Sequence, residues 1–385
     1  MNRFIFTALS IFFIASAAFS QKKAGDYIES VNNNVDQSRS PRELQYKPEG
    51  DYFLCINGKN RFTRALYGSH SDYRIETSDV PIFALYKPKN YRSLRFVLDT
   101  DGTKVEIDKA EYCEARYGNG QRQYIVRDKR WGSGATLYID VMALSQSEGG
   151  IWKFRTEGFS AKKISLTSKV CSIANTKLHR NGDMGADKPG CFEPSPTDEG
   201  LVSSSHLLEG NEVYVIADLM EVTLRNADKD VVQLFHGEKT FYESLCSRVS
   251  FSTPDPYFNT LGSALVLAAD GVWDGETWLH GAIGWRMPLA GWRAGYLGDV
   301  LGWNDRAVKH FDAYAASQVT DQPVLYPGAQ QDEKLNIARA DKKWGTEMYS
   351  TGYICRNPNR NNQMHHYDMN LNYVDELLWH FEYDA

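Results

Sequence analysis

Two patterns of hydrophobic and polar positions divide the chain. Between about residue 51 and residue 253, short alternating segments are punctuated by turn residues, the period-two signature of half-buried strands. Residues 52–56 lead into Asn57-Gly58, residues 94–98 and 105–107 flank Asp99-Thr100-Asp101-Gly102, and residues 112–117 and 123–126 flank Gly118-Asn119-Gly120. Gly beside Asn or Asp tolerates the left-handed backbone of tight turns, so each site predicts a hairpin. Residues 136–143, 151–156, 164–173, 213–224 and 231–235 continue the alternation. About ten strands without intervening helices predict a large antiparallel β-sandwich.

The pattern changes at Thr253-Pro254-Asp255-Pro256. Across 257–270, Phe258, Leu261, Leu265 and Ala268 recur at helical spacing, with Asp255 as cap and Pro256 at the first helical position. Residues 298–318, with Val300, Val308, Phe311 and Tyr314, and residues 370–382, with Tyr373, Leu377, Leu378 and Phe381, predict two more helices. The expected organisation is a signal over 1–20, a polar lead-in over 21–50, a β-sandwich domain over 51–253 and a helical domain over 254–385.

The first twenty residues join Arg3, an apolar stretch to Ala15 and a small-x-small Ala18-Phe19-Ser20 site. That is the grammar of a cleavable secretory signal cut between Ser20 and Gln21, so the expected location is periplasmic or secreted. No cysteine follows the cut directly and the apolar run is too short to span a bilayer. The net charge of −6 supplies no footprint for nucleic acid. Six scattered cysteines make no zinc pattern. Export permits disulfides, of which Cys171 with Cys191 would close a local loop, and buried free thiols are the alternative. No phosphate loop, dinucleotide fingerprint or nucleophile elbow is present, and no cofactor or metal is expected.

Candidate chemistry gathers in residues 271–303, where five tryptophans lie among acids, arginines and frequent glycines. Long loops of this kind between regular elements are usually functional. In Trp273-Asp274-Gly275-Glu276-Thr277-Trp278-Leu279-His280, two carboxylates are flanked by two indoles. Glycoside hydrolysis uses one carboxyl group as proton donor and a second as base or nucleophile, and an aromatic wall favours the protonated acid. Glu276 is the candidate acid, with Asp274, or a carboxylate from Asp299, Asp305, Asp368 or a segment beyond this sequence, as its partner. The competing reading is a surface turn over buried tryptophans. Trp285-Arg286 and Trp292-Arg293 repeat seven residues apart, suited either to gripping sugar hydroxyls and carboxylates or to bracing a loop. His365-His366-Tyr367-Asp368 precedes the last helix, and chelation by adjacent histidines is disfavoured because their side chains diverge. His70, His179, His206 and His236 are read as structural.

The signal, the β-sandwich and the helical part that opens with Trp273-Asp274-Gly275-Glu276-Thr277-Trp278 and Gly284-Trp285-Arg286-Met287-Pro288-Leu289-Ala290-Gly291-Trp292-Arg293 together resemble the bacterial six-hairpin glycosidases. More narrowly, the layout resembles a family first catalogued as a domain of unknown function. The resemblance implies a β + α two-domain fold, a large antiparallel β-sandwich followed by an incomplete (α/α) helical-hairpin toroid. It implies an oligo- or polysaccharide substrate, with Glu276 or Asp274 as candidate acids and Trp278, His280, Arg286 and Arg293 as candidate subsite residues; the reading of the residues themselves adds Asp299 as a candidate catalytic carboxylate and Trp273, Trp285, Trp292, His366 and Tyr367 as candidate substrate contacts. A closed ring of about twelve helices needs roughly 250 residues or more and about 130 follow the joint, so the chain is expected to be truncated relative to its relatives. Two other functions stay open. A polysaccharide lyase would use Tyr367 or His366 as base and Arg286 or Arg293 against a uronate. A non-catalytic glycan-binding or accessory protein would bind through Trp273, Trp278 and Trp292 without turnover.

Overall fold

A computed structural model of the chain describes residues 45–59, 62–176, 190–208, 210–281, 286–288, 295–318, 320, 331–332, 337–338, 352, 354–355, 358 and 367–384. The expected signal and most of the lead-in lie outside them. In chain order the strands are β1 (Lys47–Glu49), β2 (Tyr52–Ile56), β3 (Phe62–Tyr67), β4 (Arg74–Ser78), β5 (Phe83–Lys87), β6 (Asn90–Thr100), β7 (Thr103–Glu106), β8 (Tyr112–Gly118), β9 (Gln121–Arg127), β10 (Thr136–Ala143), β11 (Gly150–Glu157), β12 (Ile164–Cys171), β13 (Leu201–Leu207), β14 (Glu212–Ala217) and β15 (Val222–Asn226). They form two antiparallel sheets. One has the order β1-β2-β8-β9-β10-β11-β14-β15, the other β13-β12-β6-β5-β4-β3 with β7 paired to β6. A short ladder, β16 (Gln331–Asp332) with β17 (Ile337–Ala338), stands apart.

The alternation seen in the sequence sets the inner faces. Phe83 and Phe96 of the second sheet meet Tyr124, Trp152 and Phe154 of the first at ring separations of 4.8–6.5 Å, and both faces belong to one buried core. Dispersion and loss of water contact over so many rings hold the sheets together. The fold is therefore β-rich and sandwich-like. The first sheet is buried on its other face too. Met142, Ile151 and Tyr214 point away from the inter-sheet core into a second cluster with Val231, Phe235, Val266 and Trp278, which explains why β10 and β14 read as nearly continuous apolar runs.

Helices α1 (Lys229–Cys246) and α2 (Pro256–Gly271) pack on that sheet, followed by α3 (Gly295–Val300), α4 (Asn304–Ala316) and α5 (Tyr367–Asp384). The stretch 231–235, read as a strand, is the start of α1. Short apolar runs such as Val231-Val232-Gln233-Leu234-Phe235 do not distinguish strand from helix, and Asp228 decides the outcome by accepting from the backbone N–H groups of Asp230 and Val231, both at 3.0 Å. The span 213–224 is a hairpin of β14 and β15, turned by Asp218, whose carboxylate accepts from Met220 and Glu221 N–H. The span 298–318 breaks between α3 and α4 at Gly302, whose φ of +67° ends the first helix.

Turn chemistry is otherwise as expected at two of three sites. Asp101-Gly102 joins β6 to β7 with φ of +52° and +91°, and Asn119-Gly120 joins β8 to β9 with +49° and +71°. Asn57-Gly58 is a correction: it carries the chain from the first sheet to the second instead of closing a hairpin. Asn57 has φ of +48° and exchanges hydrogen bonds with Cys113, its N–H donating to the carbonyl at 2.8 Å and its side chain accepting at 2.9 Å. A toroid is not seen among the described residues. There α1 packs on α2, while α3, α4 and α5 pack on one another. No described helix is long and apolar enough to cross a membrane. All six cysteines are buried free thiols, so the Cys171–Cys191 bridge is not formed.

Candidate functional site

The candidate site grows from the end of α2. Gly271 lets this end approach β3, since a Cβ there would lie 2.8 Å from the Tyr67 ring. The chain then folds back on itself: Trp273 bridges Trp278, Leu279 bridges Pro288, and Asp274 N–H donates to the Thr277 carbonyl at 3.1 Å. Asp274 Oδ1 accepts from the N–H of Glu276 at 3.0 Å and of Thr277 at 2.6 Å, while Gly275 takes φ of +99°. Asp274 is thus engaged in holding the turn, and Glu276 stands exposed at its tip.

The indoles face inward. Trp273 is 3% exposed and Trp278 is 1% exposed, with ring centroids 4.9 Å apart. Arg306 stacks over Trp273 and Trp303 at 5.6 and 4.1 Å. Trp278 also lies against Gly298, where a Cβ would fall 2.4 Å from the ring. The backbone N–H of Trp278 donates to His310 Nδ1 at 3.2 Å, which leaves the imidazole proton on Nε2, directed to Glu376 Oε2 at 3.3 Å. The two tryptophans are pillars of the turn and present no open face to a sugar ring among the described residues.

Arg286 is a clamp. Its guanidinium donates to Asp72 at 2.8 Å, to the Gly271 carbonyl at 3.2 Å and to the His70 carbonyl at 2.7 Å. It ties the β3–β4 loop to the end of α2. Burial pulls it below its ordinary pKa despite the opposing Asp72 carboxylate. Asp299, on α3, is buried and pairs with His380 Nδ1 at 2.5 Å. His280 is exposed, and its N–H donates to the Met287 carbonyl at 2.9 Å. Trp285, Trp292, Arg293 and His366 lie outside the described residues, as does the side chain of Tyr367, which opens α5.

Sequence reasoning missed a second group beside the turn. His70, read as isolated, meets buried Asp270 at 3.0 Å, and Arg306 meets the same oxygen at 2.8 Å. Burial pushes the Asp270 carboxyl upward, yet the hydrogen bonds and charges of His70 and Arg306 outweigh it and hold the group below its usual value. His70 also has φ of +57°, an uncommon backbone for a residue with a side chain. The only advance signal was its place in Gly68-Ser69-His70-Ser71-Asp72, a short polar loop.

Two surface cavities, of about 520 and 600 Å³, lie elsewhere. The first sits between the β1–β2 turn and the start of α2, the second beside β6, β7 and β12, and neither is lined by a sequence-predicted site residue. No group of three or more metal-ligating side chains occurs among the described residues.

A family described as a domain of unknown function (DUF4450) matches residues 88–231, from the β5–β6 turn to the beginning of α1. The match stops before the Trp273–Trp278 turn. No curated protein matches the chain.

Proposed function

We propose that this chain is an exported carbohydrate-active protein, a glycoside hydrolase for a complex polysaccharide, with Glu276 as its proton-donating acid and the helical part as the opening of a hairpin toroid. The observation that carries the reading is the division of labour between two carboxylates in one turn. Asp274 is committed to backbone donors, while Glu276 is presented to solvent on a rigid base of buried indoles. A preorganised acid of this kind suits protonation of a glycosidic oxygen. Asp299 follows the 282–294 segment and is the candidate second carboxylate, its orientation set by His380. Arg286 acts by bracing the loop that carries the site.

Incubation of the full chain with a panel of plant and microbial polysaccharides tests this. New reducing ends without ultraviolet-absorbing uronate are the expected products, and Glu276→Gln lowers their rate about a hundredfold or more. Unsaturated uronate would mean a lyase. Glycan binding without any product would mean an accessory protein.

A further inference from the structure

The loop between β3 and β4 holds a side chain that the hydrolase reading leaves unused. His70 meets Asp270 Oδ1 through Nε2 at 3.0 Å, and Arg306 donates to the same oxygen at 2.8 Å. Because His70 and Arg306 hold the Asp270 carboxyl below its usual value, the carboxylate is the acceptor. The neutral imidazole therefore carries its proton on Nε2 and its lone pair on Nδ1. Exposure is uneven across the pair: the Asp270 side chain is 5% exposed and that of His70 is 28% exposed. The carboxylate is sealed while the imidazole opens to solvent, and Nδ1 meets no donor or acceptor among the described residues.

The backbone is organised around that imidazole. His70 has φ of +57°, a conformation that is costly for a residue with a Cβ and persists where its surroundings enforce it. Arg286 holds the loop by donating to the His70 carbonyl at 2.7 Å and to the Asp72 carboxylate at 2.8 Å. Ser71 Oγ accepts from the Tyr73 N–H at 3.1 Å and lies 3.2 Å from Ser69 Oγ. At the root of the loop, a Cβ on Gly68 would fall 2.2 Å from the Leu144 carbonyl oxygen. An imidazole fixed by a buried carboxylate, on a loop braced at both ends, has the build of an oriented base. The same two arginines join this loop to the Trp273–Trp278 turn, Arg286 by donating to the Gly271 carbonyl at 3.2 Å and Arg306 by stacking over Trp273. Asp299 is more closed, its side chain buried with Oδ1 2.5 Å from His380 Nδ1.

We propose that His70 is the general base of this site, its Nδ1 taking a proton from the attacking water. The water oxygen bonds to the anomeric carbon as the glycosidic C–O bond breaks; the bonding pair leaves with the departing oxygen, which takes the Glu276 proton. His70 then gives its proton to solvent and Glu276 regains one, so water is the only reactant consumed besides the glycan. This role rests on the hydrolase reading.

The test compares the full parent chain with Glu276→Gln, His70→Gly and His70→Asn on a polysaccharide panel, recording reducing-end release and thermal melting with and without added imidazole. Glycine and asparagine both tolerate the positive φ, so both His70 variants are expected to melt like the parent and to be slower by about a hundredfold or more. Imidazole in solution is expected to restore His70→Gly at least about tenfold and to leave Glu276→Gln slow, since it replaces the base and not the acid. If either His70 variant keeps the parent rate, or if His70→Gly is slow and imidazole does not restore it, the proposal is overturned and the hydrolase reading stands. If the parent releases no reducing ends, or Glu276→Gln keeps its rate, the hydrolase reading itself fails and the role of His70 falls with it.

Discussion

At Asp274 the carboxylate accepts from two consecutive backbone N–H groups and caps the turn that carries Glu276. Replacing it with Ala leaves those donors without their partner and should cost about 1–2 kcal/mol, measured by urea unfolding. Activity would fall with it because the tip loses its fixed position. Asp270 makes a different prediction. Its folded-state pKa is depressed by His70 and Arg306, so its contribution is present above the unfolded carboxyl value of about 3.9 and is lost as pH falls through the folded value. Asp270→Asn should therefore cost about 1–3 kcal/mol near neutral pH, since it leaves half-buried Arg306 without its counter-charge. Its stability should change less than that of the parent between neutral pH and pH 3. Equal acid slopes for the two proteins would remove Asp270 from this role. The turn was legible in the sequence because Asp-Gly-Glu-Thr is local chemistry. The His70–Asp270–Arg306 group was not, because it joins positions separated by about 200 residues and no periodicity reports such a meeting.

At the scale of elements, small residues decide how closely helices approach the tryptophans. A methyl group at Gly298 would fall 2.4 Å from the Trp278 ring, so Gly298→Ala should destabilise by about 1–3 kcal/mol through overpacking, even though Ala is the better helix former. An unchanged unfolding midpoint would mean that α3 moves freely on Trp278. Element identity was legible wherever caps and hydrophobic period agreed. Residues 257–270 carry Asp255, Pro256 and a regular apolar stripe, and α2 spans Pro256–Gly271. Where only apolar content spoke, as in 231–235, β-branched residues pointed to a strand and the Asp228 cap with the packing of Phe235 on Tyr214 made a helix. The six cysteines were ambiguous for the same reason: spacing alone does not tell a buried thiol from half a disulfide. Alkylation of the unfolded, unreduced chain should label all six.

For the whole molecule, one sheet serves two cores. Its inner face builds the inter-sheet core and its outer face seats α1 and the neighbouring helices, so the turn bearing Glu276 rests on a rigid, twice-buried layer. This arrangement follows from near-continuous apolar runs in β10 and β14, which simple alternation undercounts. The catalytic reading depends on the separation of roles inside one turn, Asp274 holding and Glu276 reacting. The most direct measurement compares Glu276→Gln with the parent chain on a polysaccharide the parent cleaves, recording initial rates of reducing-end release and thermal melting on the same samples. The account expects an unchanged melting temperature with a rate lower by about a hundredfold or more. A variant that melts like the parent and retains its rate would contradict it.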